Sequence, residues 1–190
     1  MHAQAKQEPA KRLIVVGQGA AGLCAAVSAL TQARTQGVNV RVTLLDAAPM
    51  DASGGNTRWS PSNIRLQANH QMAPGFVDEI MAESEGLADA AYFQQLADQA
   101  PAMADWLVSL GIAFQSPPYY LAKGPARIQP IGGGVALIRA MLAHARELGV
   151  ELIYQFTLTE LLGDATQVRG VAGVNALGQR QVHWLSLIHI

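Results

Sequence analysis

The sequence predicts an α/β fold: a parallel sheet with helices, plus a small β-meander. A strand–helix–strand order near the N-terminus is the first indication, with the apolar run RLIVVG, the small-residue helix GAAGLCAAVSALTQAR and the strand GVNVRVTLLD. Crossovers of this kind usually connect parallel strands. The meander is indicated by the strand VELIYQFTLTELL and by two shorter strands around a glycine turn in QVRGVAGVNALGQRQVHW.

Composition excludes several classes of protein. The chain has 190 residues, 50% of them hydrophobic, and a formal net charge of -1. This suffices for a domain with its own core, and it offers no electrostatic footprint for nucleic acid. No apolar run is long enough for a transmembrane segment, and MHAQAKQEPAKR lacks the apolar stretch of a secretory signal. The single cysteine excludes an internal disulfide and favours a cytoplasmic location.

The middle of the chain is predicted to be helical. GFVDEIMAESEG and AAYFQQLADQA have apolar residues at helical spacing, and PAMADWLVSLG is expected to form a further helix with Pro101 in its first turn. SPPYYLAKGPARIQPIGGG is predicted to be a loop, and GVALIRAMLAHARELG a second amphipathic helix. The expected core stripes are Met103, Trp106, Leu107 and Leu110 in the first case, and Ile138, Met141, Leu142, Ala145 and Leu148 in the second.

The stretch VVGQGAAG places Gly17, Gly19 and Gly22 in the pattern G-x-G-x-x-G, directly after a strand and at the start of a helix. Gly17 permits a sharp turn, Gly19 allows a pyrophosphate to approach the backbone, and Gly22 lets helix and strand pack closely. Main-chain N–H groups at the helix start then bind the anion. Ala20 and Ala21 keep the same surface small, and the variable Gln18 is expected to point away.

Asp46 ends the second strand, 24 positions after Gly22, where a carboxylate can accept hydrogen bonds from ribose hydroxyls. Strand, helix, second strand and acid together predict a Rossmann-like dinucleotide site. The carboxylate would repel a 2′-phosphate, which favours FAD or NAD over NADP.

A second polar segment, SGGNT, follows the acid. Gly54 and Gly55 expose main-chain N–H groups, and Asn56 and Thr57 add donors and acceptors that could orient a ligand. This suits a second segment along an extended cofactor such as FAD, although an ordinary surface turn has the same composition. From these residues alone, FAD and NAD both remain open.

Together, VVGQGAAGLCAA, the acid after VTLL, SGGNT and GGGVALIRAMLAHARELGVELIYQFTLTELL resemble the flavoprotein family of fumarate reductase and succinate dehydrogenase. The resemblance extends from Arg12 to Trp184. Within that family, GGNTRWSPSNIR is most similar to the FAD-dependent tricarballylate dehydrogenase branch.

The resemblance implies FAD and redox chemistry at a carbon–carbon bond next to a carboxylate or carbonyl, with a small carboxylate as substrate and an unknown electron acceptor. By position, it implies pyrophosphate binding by Gly17, Gly19, Ala21 and Gly22, ribose binding by Asp46, flavin contacts from Gly55, Asn56 and Thr57, and an adenine contact through the backbone of Leu158. The flavin is expected to be non-covalent, because no histidine lies between Asp46 and Asn69.

Further candidates have simpler explanations. Arg58, Arg65 and Arg127 could bind a carboxylate, but solvated surface arginine is the simpler explanation for each. Other residues with a default structural role are Tyr119 and Tyr120 (loop packing), His70 and His144 (no partner evident), and Cys24 and Trp106 (core).

Three segments are expected. Residues 1–11 form a disordered tail, residues 12–184 form the N-terminal part of an FAD-binding domain that is incomplete at its C-terminus, and the terminal LSLIHI is similar to a translated sequencing adapter. On this expectation the substrate-binding domain lies downstream, the catalytic residues are unknown, and the fragment is inactive by itself. An NAD-dependent enzyme and a non-catalytic dinucleotide-binding module remain the alternatives.

Overall fold

The structure is a computed structural model that describes residues 10–118 and 124–189. Its chain divides into two compact units. The sheet unit comprises Met1–Arg58 and Met141–Ile190, and the helical unit comprises Trp59–Ala140. Nearly all of the expected N-terminal tail, together with Tyr119 and Tyr120, lies outside the described residues.

The elements follow one another along the chain as β1 (Lys11–Val16), α1 (Ala20–Thr35), β2 (Val40–Leu45), α2 (Gly55–Trp59), α3 (Phe76–Glu83), α4 (Ala90–Ser109), β3 (Phe114–Gln115), β4 (Gln129–Pro130), α5 (Gly133–Glu147), β5 (Glu151–Ile153), β6 (Thr157–Gly163), β7 (Val168–Val174), β8 (Arg180–Trp184) and β9 (Leu187–His189).

A four-stranded parallel sheet forms the centre of the sheet unit, in the order β5-β2-β1-β9. Val16 of β1 pairs with Leu45 of β2, and Leu45 pairs in turn with Ile153 of β5. Because these strands run parallel, their carboxyl ends meet at one edge of the sheet. The segments that follow β1, β2 and β5 therefore lie side by side there, at the edge where open α/β sheets bind their ligands.

The core of the sheet unit has the expected amphipathic elements. α1 buries apolar side chains at helical spacing, namely Leu23, Ala26, Val27, Leu30 and Ala33. A further cluster of Ile14, Leu45, Phe156 and Val171 brings the parallel sheet together with the strands that follow it. The helix α5 has residues in both units, with Ile138 in the helical unit. Its predicted stripe is confirmed, since Ile138, Met141, Leu142 and Ala145 are buried, although Leu148 is only half-buried.

The predicted meander is present as the antiparallel sheet β6-β7-β8. However, VELIYQFTLTELL is not one strand, as expected, but two strands in different sheets. The extended conformation is interrupted at Gln155, which has a φ of 54°. There the main-chain N–H of Gln155 donates to Ala48 O at 3.1 Å and that of Phe156 donates to Asp46 O at 2.9 Å. Hydrogen bonds to the segment after β2 therefore direct the chain from one sheet into the other.

The helical unit differs from expectation at Pro101, which lies inside the 20-residue helix α4 rather than in a first turn. The helix begins earlier because Asp89 caps it, accepting hydrogen bonds from Ala91 N and Tyr92 N. The buried stripe is also shifted from the predicted one. It consists of Ala100, Ala104 and Leu107, whereas Met103, Trp106 and Leu110 are half-buried.

The predicted Pro- and Gly-rich loop contains a short strand. β4 pairs with β3 in an antiparallel ribbon, and Ile128 forms a bridge with Ile64. Leu66, Ala100, Ala104 and Ile128 form the core of this unit. No helix in residues 10–118 and 124–189 is long and apolar enough to cross a membrane.

Candidate functional site

The candidate site lies at the carboxyl edge of the parallel sheet, where β1 ends in a glycine-rich turn. Gly17 N donates to Leu45 O of the neighbouring strand at 2.7 Å. Gly17 then adopts a φ of 97°, a conformation that side chains other than glycine rarely adopt. A Cβ atom on Gly22 would lie 1.9 Å from Gly17 O, so helix and turn are in direct contact there. The backbone itself requires glycine at these two positions.

The start of α1 leaves main-chain donors without partners. Gly19 is the N-cap residue and has no side chain to cap the helix. Leu23 N is the first amide bonded within the helix, to Gly19 O at 3.0 Å. In the described part of the chain, the amides of Gly19, Ala21 and Gly22 have no hydrogen-bond acceptor. Unpaired amides at a helix N-terminus, together with the helix dipole, form a site for an anion.

The second polar segment packs directly against this turn. The hydroxyl of Thr57 accepts a hydrogen bond from Ala20 N at 3.2 Å. A Cβ atom built on Gly55 would lie 3.6 Å from the Cα of Gly19. Gly54 is buried beside them, whereas Gly55 and Asn56 are exposed. Residues 55–59 form one helical turn rather than the irregular turn that their composition suggests.

Asp46 joins the segments after β1 and β2. Its carboxylate accepts hydrogen bonds from Gln18 N at 2.7 Å and from Ala48 N at 2.8 Å, and the residue is only 9% exposed. Each carboxylate oxygen retains a lone pair for a further donor. Phe156 N donates to the main-chain oxygen of Asp46, and Leu158 comes two residues after Phe156 in the chain. Leu158 is half-buried and packs against the cluster that contains Phe156.

The structure therefore brings together, within the sheet unit, the sequence-predicted residues Gly17, Gly19, Ala20, Ala21, Gly22, Asp46, Gly54, Gly55, Asn56 and Thr57, with Leu158 on the adjoining strand. Residues 12–184 match the family described as FAD binding domain. The chain belongs to the FAD-binding domain family. FAD is thus the cofactor, and the choice that the sequence left open between FAD and NAD is decided.

Known relatives share the fold across nearly the whole chain. An L-aspartate oxidase from Streptomyces coelicolor is 25% identical over 188 residues, which cover 93% of this chain and 31% of the relative. The 3-ketosteroid-Δ4-(5α)-dehydrogenase from Rhodococcus jostii RHA1 superposes with a TM-score of 0.72 at 20% identity, over 96% of this chain and 46% of its own. A flavocytochrome c3 fumarate reductase gives a TM-score of 0.72 at 21% identity, over 96% of this chain and 33% of its own. The chain spans less than half the length of each relative.

The site of this FAD-binding domain fits the dinucleotide. The unpaired amides at the start of α1 match a pyrophosphate, because an anion completes hydrogen bonds that the protein leaves open. The remaining lone pairs of Asp46 match ribose hydroxyls. Small residues at 19–22 keep the approach to these amides free of side chains.

Sequence reasoning missed the buried polar side chains around the turn. Gln18 is completely buried, and its Nε2 donates to Leu44 O at 3.4 Å, so it points into the domain. Ser53 is also completely buried, and its hydroxyl donates to Met50 O at 3.2 Å. Neither residue gave a signal, because a polar residue next to a glycine is also typical of an exposed turn.

The three candidate arginines lie in different settings. Arg58 Nη1 donates to Ser53 O at 3.3 Å, and Arg127 Nη2 donates to Pro118 O at 3.4 Å. Arg65 forms an ion pair with Glu79, and its guanidinium lies 5.2 Å from the centre of the Phe76 ring. These contacts provide each arginine with a structural role.

The histidines and the cysteine also have defined surroundings. His70 has an acidic partner that the sequence did not reveal, Asp105, at 2.9 Å, and His144 Nδ1 lies 3.6 Å from Glu147. Cys24 is half-buried in α1, and this burial raises the pKa of its thiol, so it remains protonated at neutral pH. The described residues contain no cluster of histidine, cysteine and acidic side chains that could hold a metal ion.

Proposed function

We propose that the whole protein is an FAD-dependent oxidoreductase that acts on a carbon–carbon bond next to a carboxylate, and that this chain provides the portion that holds the cofactor. The observation that carries the proposal is the set of unpaired amides at Gly19, Ala21 and Gly22, at the N-terminus of a 16-residue helix in an FAD-binding domain. The relatives, which extend well beyond the matched part, leave room for substrate-binding residues elsewhere.

Each residue of the site has a proposed contact. The amides of Gly19, Ala21 and Gly22 hold the pyrophosphate beside the turn at Gly17, Asp46 holds the adenosine ribose, and the main chain of Leu158 contacts the adenine. Gly54, Gly55, Asn56 and Thr57 lie along the flavin half, and Thr57 orients this segment by its hydrogen bond to Ala20 N. The flavin is non-covalent, because residues 47–69 contain no histidine to form the bond.

When bound, FAD supplies the redox chemistry: it accepts a hydride from the substrate carbon next to the carbon that the carboxylate activates. The residues of this chain contribute binding and orientation. The substrate proposed is a small carboxylate such as tricarballylate, fumarate or succinate. Support comes from the similarity of GGNTRWSPSNIR to the tricarballylate dehydrogenase branch, and two relatives are named for small carboxylates, L-aspartate and fumarate. A cytoplasmic location is part of the same proposal and rests on the single cysteine.

Gly19→Ala tests the cofactor site, because the protein can accommodate the added methyl group. Its Cβ would meet only Gly54 O at 3.7 Å and Thr57 Oγ1 at 3.8 Å, which are ordinary contacts. The methyl group nevertheless occupies the approach to the helix N-terminus. We expect unchanged thermal stability of the apoprotein and a loss of FAD affinity on the order of 10- to 100-fold, measured by flavin absorbance and fluorescence titration.

Gly22→Ala is the matched comparison for this test. Its Cβ would collide with Gly17 O, so it should lower both the stability of the apoprotein and its FAD affinity. A Gly19→Ala variant that binds FAD as tightly as the parent would refute the proposed pyrophosphate contact.

The substrate class is tested on the whole protein with an artificial electron acceptor. We expect turnover with tricarballylate or succinate, or reduction of fumarate by the reduced flavin. Turnover of a 3-ketosteroid and of none of these carboxylates would overturn the substrate class while leaving the FAD site intact. No turnover with any of them, in a flavin-loaded protein, would favour the non-catalytic module.

A further inference from the structure

A small polar cavity lies at the edge of the parallel sheet where the strands begin. It has a volume of about 280 Å³, and Arg12, Arg41, Thr43, Glu151, His183 and Trp184 are among its lining residues. Arg12 and Arg41 are the second residues of β1 and β2, whereas Gly17 follows the last residue of β1. The cavity is therefore at the opposite end of the strands from the FAD site, and its function is independent of the one proposed above.

The two arginines stand side by side with like charge. Arg12 pairs with Arg41 in the parallel register of β1 and β2, so both side chains leave the same face of adjacent strands. Neighbouring strands are about 4.8 Å apart, and like charges directly opposite each other destabilise a sheet. Within the described residues, neither guanidinium forms a hydrogen bond or an ion pair. A bound anion would remove the repulsion between them.

The acid in the wall of the cavity does not neutralise this pair. Glu151 lines the same cavity, but its carboxylate accepts a hydrogen bond from the Thr43 hydroxyl at 2.7 Å. Within the described residues it has no ion pair with either arginine. Two guanidinium groups and one carboxylate leave the cavity with an excess positive charge even while His183 is neutral.

His183 and Trp184 complete the wall of the cavity. The Nε2 atom of His183 is buried and has no hydrogen-bond partner among the described residues, and its ring packs edge-on against Phe156 with centroids 5.1 Å apart. The Trp184 ring lies over Gly170, where a Cβ atom would approach it to 2.9 Å. The cavity thus has an aromatic surface beside the two cations.

From this arrangement we propose that Arg12 and Arg41 bind a phosphate group in this cavity. Guanidinium groups form paired hydrogen bonds with phosphate oxygens, and two of them can share one dianion. A volume of about 280 Å³ suits inorganic phosphate or a small phosphate monoester, not a dinucleotide.

The test uses the FAD-loaded chain and compares inorganic phosphate with phenyl phosphate, with sodium chloride holding the ionic strength constant. Isothermal calorimetry and the midpoint of thermal unfolding are the measurements. We expect saturable binding that raises the unfolding temperature. Tighter binding of phenyl phosphate identifies a monoester that stacks on Trp184 as the ligand, and equal binding identifies free phosphate.

Two variants and one control examine the assignment. Arg12→Gln and Arg41→Gln should each weaken phosphate binding about tenfold, yet leave the protein as stable as the parent, or more stable, in phosphate-free buffer. Arg180→Gln is the matched control, because Arg180 is an exposed arginine on β8 that pairs with Glu160 at 3.0 Å.

Parent affinity in Arg41→Gln, an equal loss in Arg180→Gln, or no saturable binding to the parent would each overturn the phosphate site. None of these outcomes depends on FAD affinity or turnover, so they leave the proposed oxidoreductase function untouched.

Discussion

The two units of the chain hold their polar side chains in different ways. In the sheet unit, Gln18, Asp46 and Ser53 are buried, and they are the only buried polar side chains in the described ranges. They bond to main-chain groups of β2 and of the segments that follow β1 and β2. In the helical unit, Arg65 pairs with Glu79 and His70 with Asp105, and the acid is well exposed in both pairs.

The difference indicates which polar contacts matter for each unit. A buried carboxylate that accepts two main-chain hydrogen bonds fixes the positions of two loops, and its loss leaves amides without partners. The protein loses little stability when a surface ion pair breaks, because water replaces the partner. We therefore expect the cofactor edge to be sensitive to polar substitutions and the helical unit to tolerate them.

The largest effect is expected for Asp46→Ala. The substitution removes the acceptor for Gln18 N and Ala48 N in a buried position, and we expect a loss of about 3 kcal/mol in the free energy of unfolding of the apoprotein. Urea denaturation followed by circular dichroism measures it. Asp46→Asn keeps one acceptor oxygen and should recover about half of the loss.

Asp51→Ala is the control for this prediction, since Asp51 is an exposed acid shortly after Asp46 in the chain. Equal stability losses in the Asp46 and Asp51 variants would show that burial of Asp46 has no special role. The comparison between the two units would then fail.

A smaller effect is expected for Asp105→Ala in the helical unit. The Asp105 side chain is 73% exposed, and its ion pair with His70 should contribute less than about 1 kcal/mol to stability. The same denaturation experiment measures it, with Glu83→Ala, an exposed acid near the end of α3, as a comparison. A loss as large as that of Asp46→Ala would mean that the pair holds the turn of residues 67–71, where His70 has a φ of 62°.

The sequence predicted the sheet unit better than the helical unit, because the main features of the cofactor site are determined locally. The turn after β1 is determined locally, since a positive φ at Gly17 and a close contact at Gly22 both require glycine. The spacing of these glycines can therefore be recognised in the sequence. Asp46 was found by its position after a strand. The course of α4 through Pro101 depends on where Asp89 caps the helix, and the core of the helical unit depends on long-range packing against Ile128.

Burial of Gln18 and the break at Gln155 were not predictable from the sequence either. Both result from hydrogen bonds between segments far apart in the chain, Gln18 with Leu44 and Asp46, and Gln155 with Ala48. Periodicity and turn composition describe neighbours in sequence, so they contain no information about such partners.

The smallest predicted effect concerns the exposed turn between β6 and β7, where a carboxylate also accepts several hydrogen bonds but is not buried. The hydroxyl and the main-chain N–H of Thr166 both donate to Asp164 Oδ1, and these bonds lower the pKa of the Asp164 carboxyl. A lowered pKa in the folded state means that the carboxylate stabilises the turn above the pKa of the unfolded chain, and that this contribution is lost as the pH falls through the folded-state pKa.

Thr166→Val removes the hydroxyl and should raise the Asp164 pKa toward its ordinary value, as measured by NMR titration of the carboxyl carbon. Thr166→Ser is the variant that retains the hydroxyl. If the pKa in Thr166→Val equals that of the parent, the main-chain donors alone set it. At neutral pH the midpoint of urea unfolding should fall only slightly in Thr166→Val and stay unchanged in Thr166→Ser, because hydrogen bonds to an exposed carboxylate are largely replaced by bonds to water, whereas the loss of the buried Asp46 carboxylate leaves amides without partners.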